Sequence, residues 1–355
     1  MTAPAATPAP GGRVRRPRTT VAVLAVACAV AIVLSVAVGS VAIAPGTVIS
    51  VIAAHVLPWH SGTSATGVQQ TIVWEFRLPR ALLGLIVGAS LAVAGAVLQA
   101  VVRNPLADPF VFGVSSGASV AAVAALTLAS GALATVSVPV AAFAGALATT
   151  LLVFLLAQRR GRVAPGRLVL AGVAMSYLLS SVTSYLVLRA STPDGGVSEV
   201  LSWLSGSLAA ASWGDLGLPA LVLVIATAAL VLLARLLNAF LAGDETAASL
   251  GVDVGRVRLI LFAVTSLLVG VVVAVSGAIG FVGLVVPHAV RMVVGSDHRW
   301  VLPASALAGG LLLVAVDIAA RLVIAPSELP VGLLTAAVGA PFFLWLLRRS
   351  GRGEP

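Results

Sequence analysis

The sequence predicts an all-α polytopic membrane protein with about ten transmembrane helices and both termini in the cytoplasm. Three observations carry this. Of 355 residues, 60% are hydrophobic and only 9% charged, a balance that no soluble domain of this length sustains. Uncharged apolar runs recur along the chain, and about twenty such residues at about 1.5 Å each cross the hydrocarbon core of a bilayer. All 21 basic residues are arginine, and they gather in the turns that alternate runs place on one side.

Residues 1–19 are built from Ala, Pro, Gly and Arg and read as a disordered, basic cytoplasmic tail. The apolar runs follow at 20–44, 81–101, 110–130, 136–157, 168–189, 216–237, 258–276, 279–294, 302–324 and 331–347. They form one transmembrane domain over 20–350, and 351–355 are a short C-terminal tail. The first run is a retained span: its roughly 24 residues exceed the roughly 7–15 of a signal peptide's apolar region, and Pro45 would follow the cleavage site. Cys28 within it is expected to be a small buried hydrophobe. The run at 279–294 is short and holds Pro287, so a broken or partly inserted helix is expected there.

The chain is organised around the stretch from Arg77 to Ala118. An Arg-Leu-Pro-Arg threshold precedes an apolar run with one internal Gln99; a turn with two prolines and a return run rich in small residues follow. Gly84, Gly88, Ala89, Ser90, Ala92, Ala94, Gly95 and Ala96 leave the first of these helices nearly bare, which lets neighbouring backbones approach in lipid. Most arginines fall on the cytoplasmic side; Arg77, Arg80, Arg189 and Arg321 are the exceptions. Arginine confined to short loops marks orientation, not nucleic-acid binding.

The outer segment 45–76 has helical potential up to Leu57. His55 and His60 lie there without Cys, Asp or Glu beside them, a poor metal site. In the fifth run Ser176, Ser180 and Ser184 recur every four residues, with Tyr177 alongside, and share one helix face. They either bond back to the preceding turn or form a polar wall beside an aqueous path. SEVLSWLSGSL after the Pro193-Asp194-Gly195-Gly196 turn reads as a short surface helix with Trp203 and Trp213 at headgroup level.

The inner loop from Leu237 to Arg258 is punctuated by caps. Asp244 is expected to cap a short helix through Ser249 that Gly251 ends, and Asp253 to cap the next, giving a rigid cytoplasmic knob suited to docking. Gly277, Gly280 and Gly283 point to close helix packing; no strand precedes them, which excludes a dinucleotide fingerprint. His288 is read as interfacial and His298 as solvated. Asp317 is the one acid deep inside an apolar run, and Arg321, four residues on, is its expected partner. The pair either orients Arg321 outward or belongs to a proton relay. No lysine exists to serve a phosphate loop, so any ATP driving this protein is hydrolysed by another chain.

RLPR at 77–80, AGAVLQAVVRNPLADP at 94–109, GVSSGA at 113–118, GAIGFVGLVVPHAVR at 277–291 and ELPVGLLTAAVGAPFFLWLL at 328–347 together resemble the iron-siderophore and cobalamin importer permeases, the membrane subunits of type II ABC importers. The resemblance implies the type II ABC importer permease fold in the bacterial cytoplasmic membrane. It also implies a second permease subunit, identical or paralogous, two cytosolic ATPase subunits that bind ATP and Mg, and an extracytoplasmic substrate-binding protein. No cofactor or metal is implied for this chain. Carried over by position, Arg77, Arg80 and Arg321 would dock the binding protein. A coupling loop at about 238–258, with Asp244, Glu245, Ala248, Leu250, Gly251 and Val252, would seat in the ATPase. The face with Ser176, Tyr177, Ser180 and Ser184 would line the path. A ferric siderophore is the expected cargo, with cobalamin or haem as alternatives. A proton- or ion-coupled secondary transporter using Asp317 is the competing class.

Overall fold

In a computed structural model the described residues are 17–350, apart from 40, 58–64, 129–136, 160–161, 164, 190–195, 250 and 326. Residues 1–16 of the expected N-terminal tail, the C-terminal tail, His60, the Pro193–Gly195 part of the outer turn and Leu250 therefore lie outside the described residues, whereas Pro17–Thr19, expected in the tail, already belong to the first helix. The elements run α1 (Pro17–Ala37), α2 (Pro45–Val56), α3 (Gly67–Thr71), a π-helical turn (Ile72–Arg77), α4 (Leu78–Val102), α5 (Val114–Leu128), α6 (Val138–Ala157), α7 (Pro165–Arg189) and α8 (Gly196–Leu204). They continue as α9 (Gly217–Leu232), α10 (Ala234–Ala242), α11 (Asp244–Ser249), α12 (Val254–Ser276), α13 (Val282–Val294), α14 (His298–Leu322) and α15 (Val331–Ser350). One two-residue hairpin pairs Gln158–Arg159 with Arg162–Val163 at the inner end of α6.

Among the described residues seven helices are long and apolar enough to cross a membrane. The other three expected spans coincide with shorter apolar helices: α5, α13 and the Val331–Leu344 part of α15. The short α13 carries Pro287, as its sequence foretold, and its N-cap Phe281 adopts a left-handed conformation that re-aims the chain after the Gly277 turn. The sixth run does not continue to residue 237. It breaks at Leu233, and α10 turns away as a separate amphipathic helix.

The Arg-Leu-Pro-Arg threshold is not a boundary but lies inside one continuous helical stretch, Gly67–Val102. Pro79 has no N–H to return to the carbonyl four residues back, and the chain widens just before it, with the Leu78 N–H donating to the Val73 carbonyl five residues away. The first span stops at Ala37 instead of 44. Arg77 ends it by donating from Nη1 to the Val36 carbonyl at 2.9 Å and from Nη2 to the Val41 carbonyl at 2.7 Å, satisfying acceptors that a helix end leaves orphaned.

α4 is the core of the domain, buried along nearly its whole length. Its small residues explain this. A Cβ on Gly88 would overlap the carbonyl of Gly309 in α14, and one on Gly95 would overlap the carbonyl of Gly283 in α13. In lipid there is little hydrophobic gain in pressing helices together, so contact of this closeness is what holds them. Gly88→Val should therefore force α4 from α14 and cost about 1–3 kcal/mol. A lowered thermal unfolding midpoint of the purified chain in detergent would show it, and Gly46→Ala, where nothing lies within 4 Å, should leave the midpoint in place.

Candidate functional site

Three groups of polar residues lie at the outer end, along one flank and at the inner end of this helical frame. At the outer end the π-helical turn, α4 and α14 bring Arg77, Arg80 and Arg321 around one cleft of about 340 Å³, with Glu328 from the α14–α15 connection. All three arginines are 9% exposed or less. Asp317, at 1%, is the anion that Arg80 and Arg321 share. Arg80 donates to it from Nε at 2.9 Å and lies 2.8 Å away through Nη2, while Arg321 Nε is 3.2 Å from the other carboxylate oxygen.

The sequence offered Arg321 as the partner of Asp317, yet Arg80, 237 residues away, makes the tighter pair. Arg80 Nη1 also donates to Glu328 at 2.7 Å. Arg321 is anchored in turn by the Val38 carbonyl at 2.9 Å and the Ser35 hydroxyl at 2.8 Å. Three guanidiniums thus stand against two carboxylates, Arg77 being held by carbonyls alone, and the cleft keeps a net positive charge. Glu328 escaped notice because its only signal was its place in ELPVG, just beyond a span that ends on the arginine side.

Along the flank, Ser176, Tyr177 and Ser180 of α7 line a groove of about 420 Å³ opposite Ser115 and Ser116 of α5. Tyr177 is 75% exposed, and Ser180 and Ser184 are also open. The hydroxyls divide their loyalties. Ser181 donates back to the Tyr177 carbonyl and Thr183 to that of Leu179, whereas Ser176 Oγ is buried with no hydrogen-bond partner. Among the described residues no charged side chain lines this groove. The GVSSGA stretch, read only as a motif of small residues, supplies its second wall.

At the inner end Asp244 is the first residue of α11 and does not cap it. Its carboxylate accepts from Arg258 Nη2 at 3.0 and 2.9 Å and lies 3.4 Å from Arg103, which closes α4 in a left-handed conformation. The knob is therefore tied to both α4 and α12. Glu245 and Ala248 face outward, Val252 is half-buried, and Gly251 turns the chain at φ +81°. Asp253 caps α12 as expected from its position, accepting from the Arg256 N–H at 3.1 Å.

The remaining candidates are structural. His55 stacks on Trp74 at 4.2 Å, and Trp74 meets Trp213 at 4.7 Å, an aromatic group on the outer surface. Cys28 is buried and donates to the Leu307 carbonyl. His298, expected in solvent, is wholly buried at the start of α14, with Nδ1 2.8 Å from the Asn238 amide oxygen. Its partner sits on α10, 60 residues upstream, and no local pattern reveals it. Among the described residues no group of three His, Cys, Asp or Glu could hold a metal ion.

Removing one member of a buried ionic group leaves the others uncompensated, at a cost of about 3–5 kcal/mol. Asp317→Asn should therefore destabilise the chain strongly, lowering its unfolding midpoint well below that of Glu328→Gln, whose carboxylate is partly exposed. Equal midpoints would contradict the central place given to Asp317.

Known proteins resemble this chain over most of its length. The model of the FecCD transport family matches residues 27–349. The cobalamin import system permease protein BtuC of Halobacterium salinarum is 49% identical over 83% of this chain and 78% of its own length. The hemin transport system permease protein HmuU of Yersinia pestis is 45% identical, covering 78% of this chain and 83% of its own. The Fe(3+)-citrate import system permease protein YfmD of Bacillus subtilis is 41% identical, covering 79% and 82%. Among solved structures, an inward-facing metal-chelate type ABC transporter superposes with a TM-score of 0.80 at 30% identity, over 94% of this chain and 99% of that one. The chain belongs to the FecCD transport family and is a multi-pass permease subunit of a type II ABC importer.

Proposed function

We propose that this permease passes a large metal chelate across the cytoplasmic membrane, driven by ATP that a separate pair of cytosolic subunits hydrolyses. The observation that carries the cargo class is the groove on α7 and α5: wide, lined by hydroxyls and apolar side chains, and free of charge. Such a wall lets a bulky ligand slide without holding it. A second permease subunit facing α7 would close the groove into a path. Its open Tyr177, Ser180 and Ser184 fit that role, since an exposed polar face in a lipid-embedded helix calls for a partner or water.

The outward cleft suits the carboxylates of an extracytoplasmic binding protein, and its excess of arginine over acid gives it the charge to attract them. The inner knob suits an ATPase subunit. Its exposed Glu245 and Ala248 would make the contact, while Asp244, bound to Arg103 and Arg258, would carry movement into α4 and α12. A coupled transporter that uses Asp317 is disfavoured, because that carboxylate is committed to the ion pairs that tie α4 to α14.

Cobalamin is the cargo we favour within the chelates, on the 49% identity to a cobalamin permease; the 41% identity to a ferric citrate permease supports a ferric siderophore as the second reading. Uptake of labelled cobalamin, hemin and a ferric siderophore should be compared in cells with and without the gene. The cargo reading predicts that cobalamin uptake falls at least about tenfold in the deletion and returns with the gene. Loss of ferric siderophore uptake alone would transfer the assignment, and loss of none of the three would overturn the chelate reading.

A further inference from the structure

The three arginines of the outer cleft differ in what holds them. Arg77 donates to the Val36, Ala37 and Val41 carbonyls, and its guanidinium lies so close to Gly39 that a Cβ there would overlap it. Arg321 is tied to Asp317, to the Val38 carbonyl and to the Ser35 hydroxyl. These acceptors are main-chain or buried groups, so freeing either arginine would unmake the end of α1.

Arg80 is held differently. Its Nε and Nη2 are committed to the buried Asp317, but its Nη1 donates at 2.7 Å to Glu328, whose side chain is 41% exposed. The backbone around Glu328 does not have to move for this contact to break. The Leu329 N–H donates to the Ala320 carbonyl at 3.1 Å, and the Gly332 N–H donates to the Gly206 carbonyl at 3.2 Å. With the main chain pinned on both sides, rotation of the Glu328 side chain toward solvent is enough to bare Nη1 at the cleft. A carboxylate that enters from outside meets the like charge of Glu328 before it can pair with Arg80.

On the reading that this cleft receives carboxylates of an extracytoplasmic binding protein, we propose that Glu328 is an internal stand-in for the incoming carboxylate: it occupies Arg80 Nη1 while the cleft is empty, and docking displaces it. One carboxylate is exchanged for another at the same guanidinium, so the net gain is small and the complex can part again after delivery. A partner without a carboxylate at this place leaves Glu328 where it is and meets a negative charge at the cleft, which adds selectivity.

An impermeant maleimide fluorophore on Ala325→Cys, an exposed residue that lines the cleft, tests this in right-side-out membrane vesicles; Cys28 is buried and escapes the label. Decaglutamate is the probe and decaglutamine its uncharged control. The otherwise native chain should respond to decaglutamate alone. Glu328→Gln, which keeps the shape and gives up the charge, should bind it about fivefold more tightly, the value of one partly exposed ion pair. Glu75→Gln removes an exposed acid of the same outer end that does not line the cleft, and should leave the affinity unchanged. Equal affinity with and without Glu328→Gln, or the same gain in Glu75→Gln, overturns the displacement and leaves the docking reading in place, because the cleft still takes the acidic probe. Binding of decaglutamate to none of the three overturns the docking reading and the displacement with it. Glu328→Ala decides by the same criterion if Glu328→Gln fails to fold.

Discussion

The approach of backbone to backbone along α4 is the constraint on which the rest of the structure depends. Gly88 lies against Gly309 and Gly95 against Gly283, with carbonyls where side chains would otherwise stand. That closeness fixes α13 and α14 on one helix, and it places the two ends of that helix in fixed relation to everything else. At the outer end the helix carries Arg80 to Asp317; at the inner end it carries Arg103 to Asp244. One element therefore joins the cleft on one side of the membrane to the knob on the other.

The electrostatics follow from the same placement. A carboxylate at the depth of Asp317 is tolerable only with partners, and two arginines from two helices meet it. Arg77 and Arg321 spend most of their donors on the carbonyls and hydroxyl around the end of α1. The outer cluster is thus a structural clasp with a cationic cleft above it. A docking partner would meet arginines already aligned by the fold, which reduces the ordering cost of an encounter.

Much of this was legible in the sequence because membrane helices are written in long apolar runs and their orientation in arginine. The small residues of α4 announced close packing, and Gly251 and Asp253 marked the limits of the knob. What stayed hidden were meetings between distant segments. Asp317 was assigned the neighbour four residues away, since a helix-face rule sees only local partners, and Arg80 was out of its reach. His298 was read as solvated for the same reason, with Asn238 on another helix. The break at Leu233 was invisible because α9 and α10 are both apolar enough to read as one run. Ser115 and Ser116 carried no sign of facing α7, because helix pairing is decided by packing and not by the pattern within either helix.

The central claim is that this chain works as the membrane half of an ATP-driven machine. Isolation of the chain from its native membrane in a mild detergent, with identification of bound subunits by mass spectrometry and an ATPase assay on the complex, tests it most directly. The account predicts a nucleotide-binding subunit recovered in equal amount with this chain and ATP hydrolysis by the complex. Recovery of the chain alone, with uptake in sealed vesicles driven by an ion gradient without ATP, would contradict it.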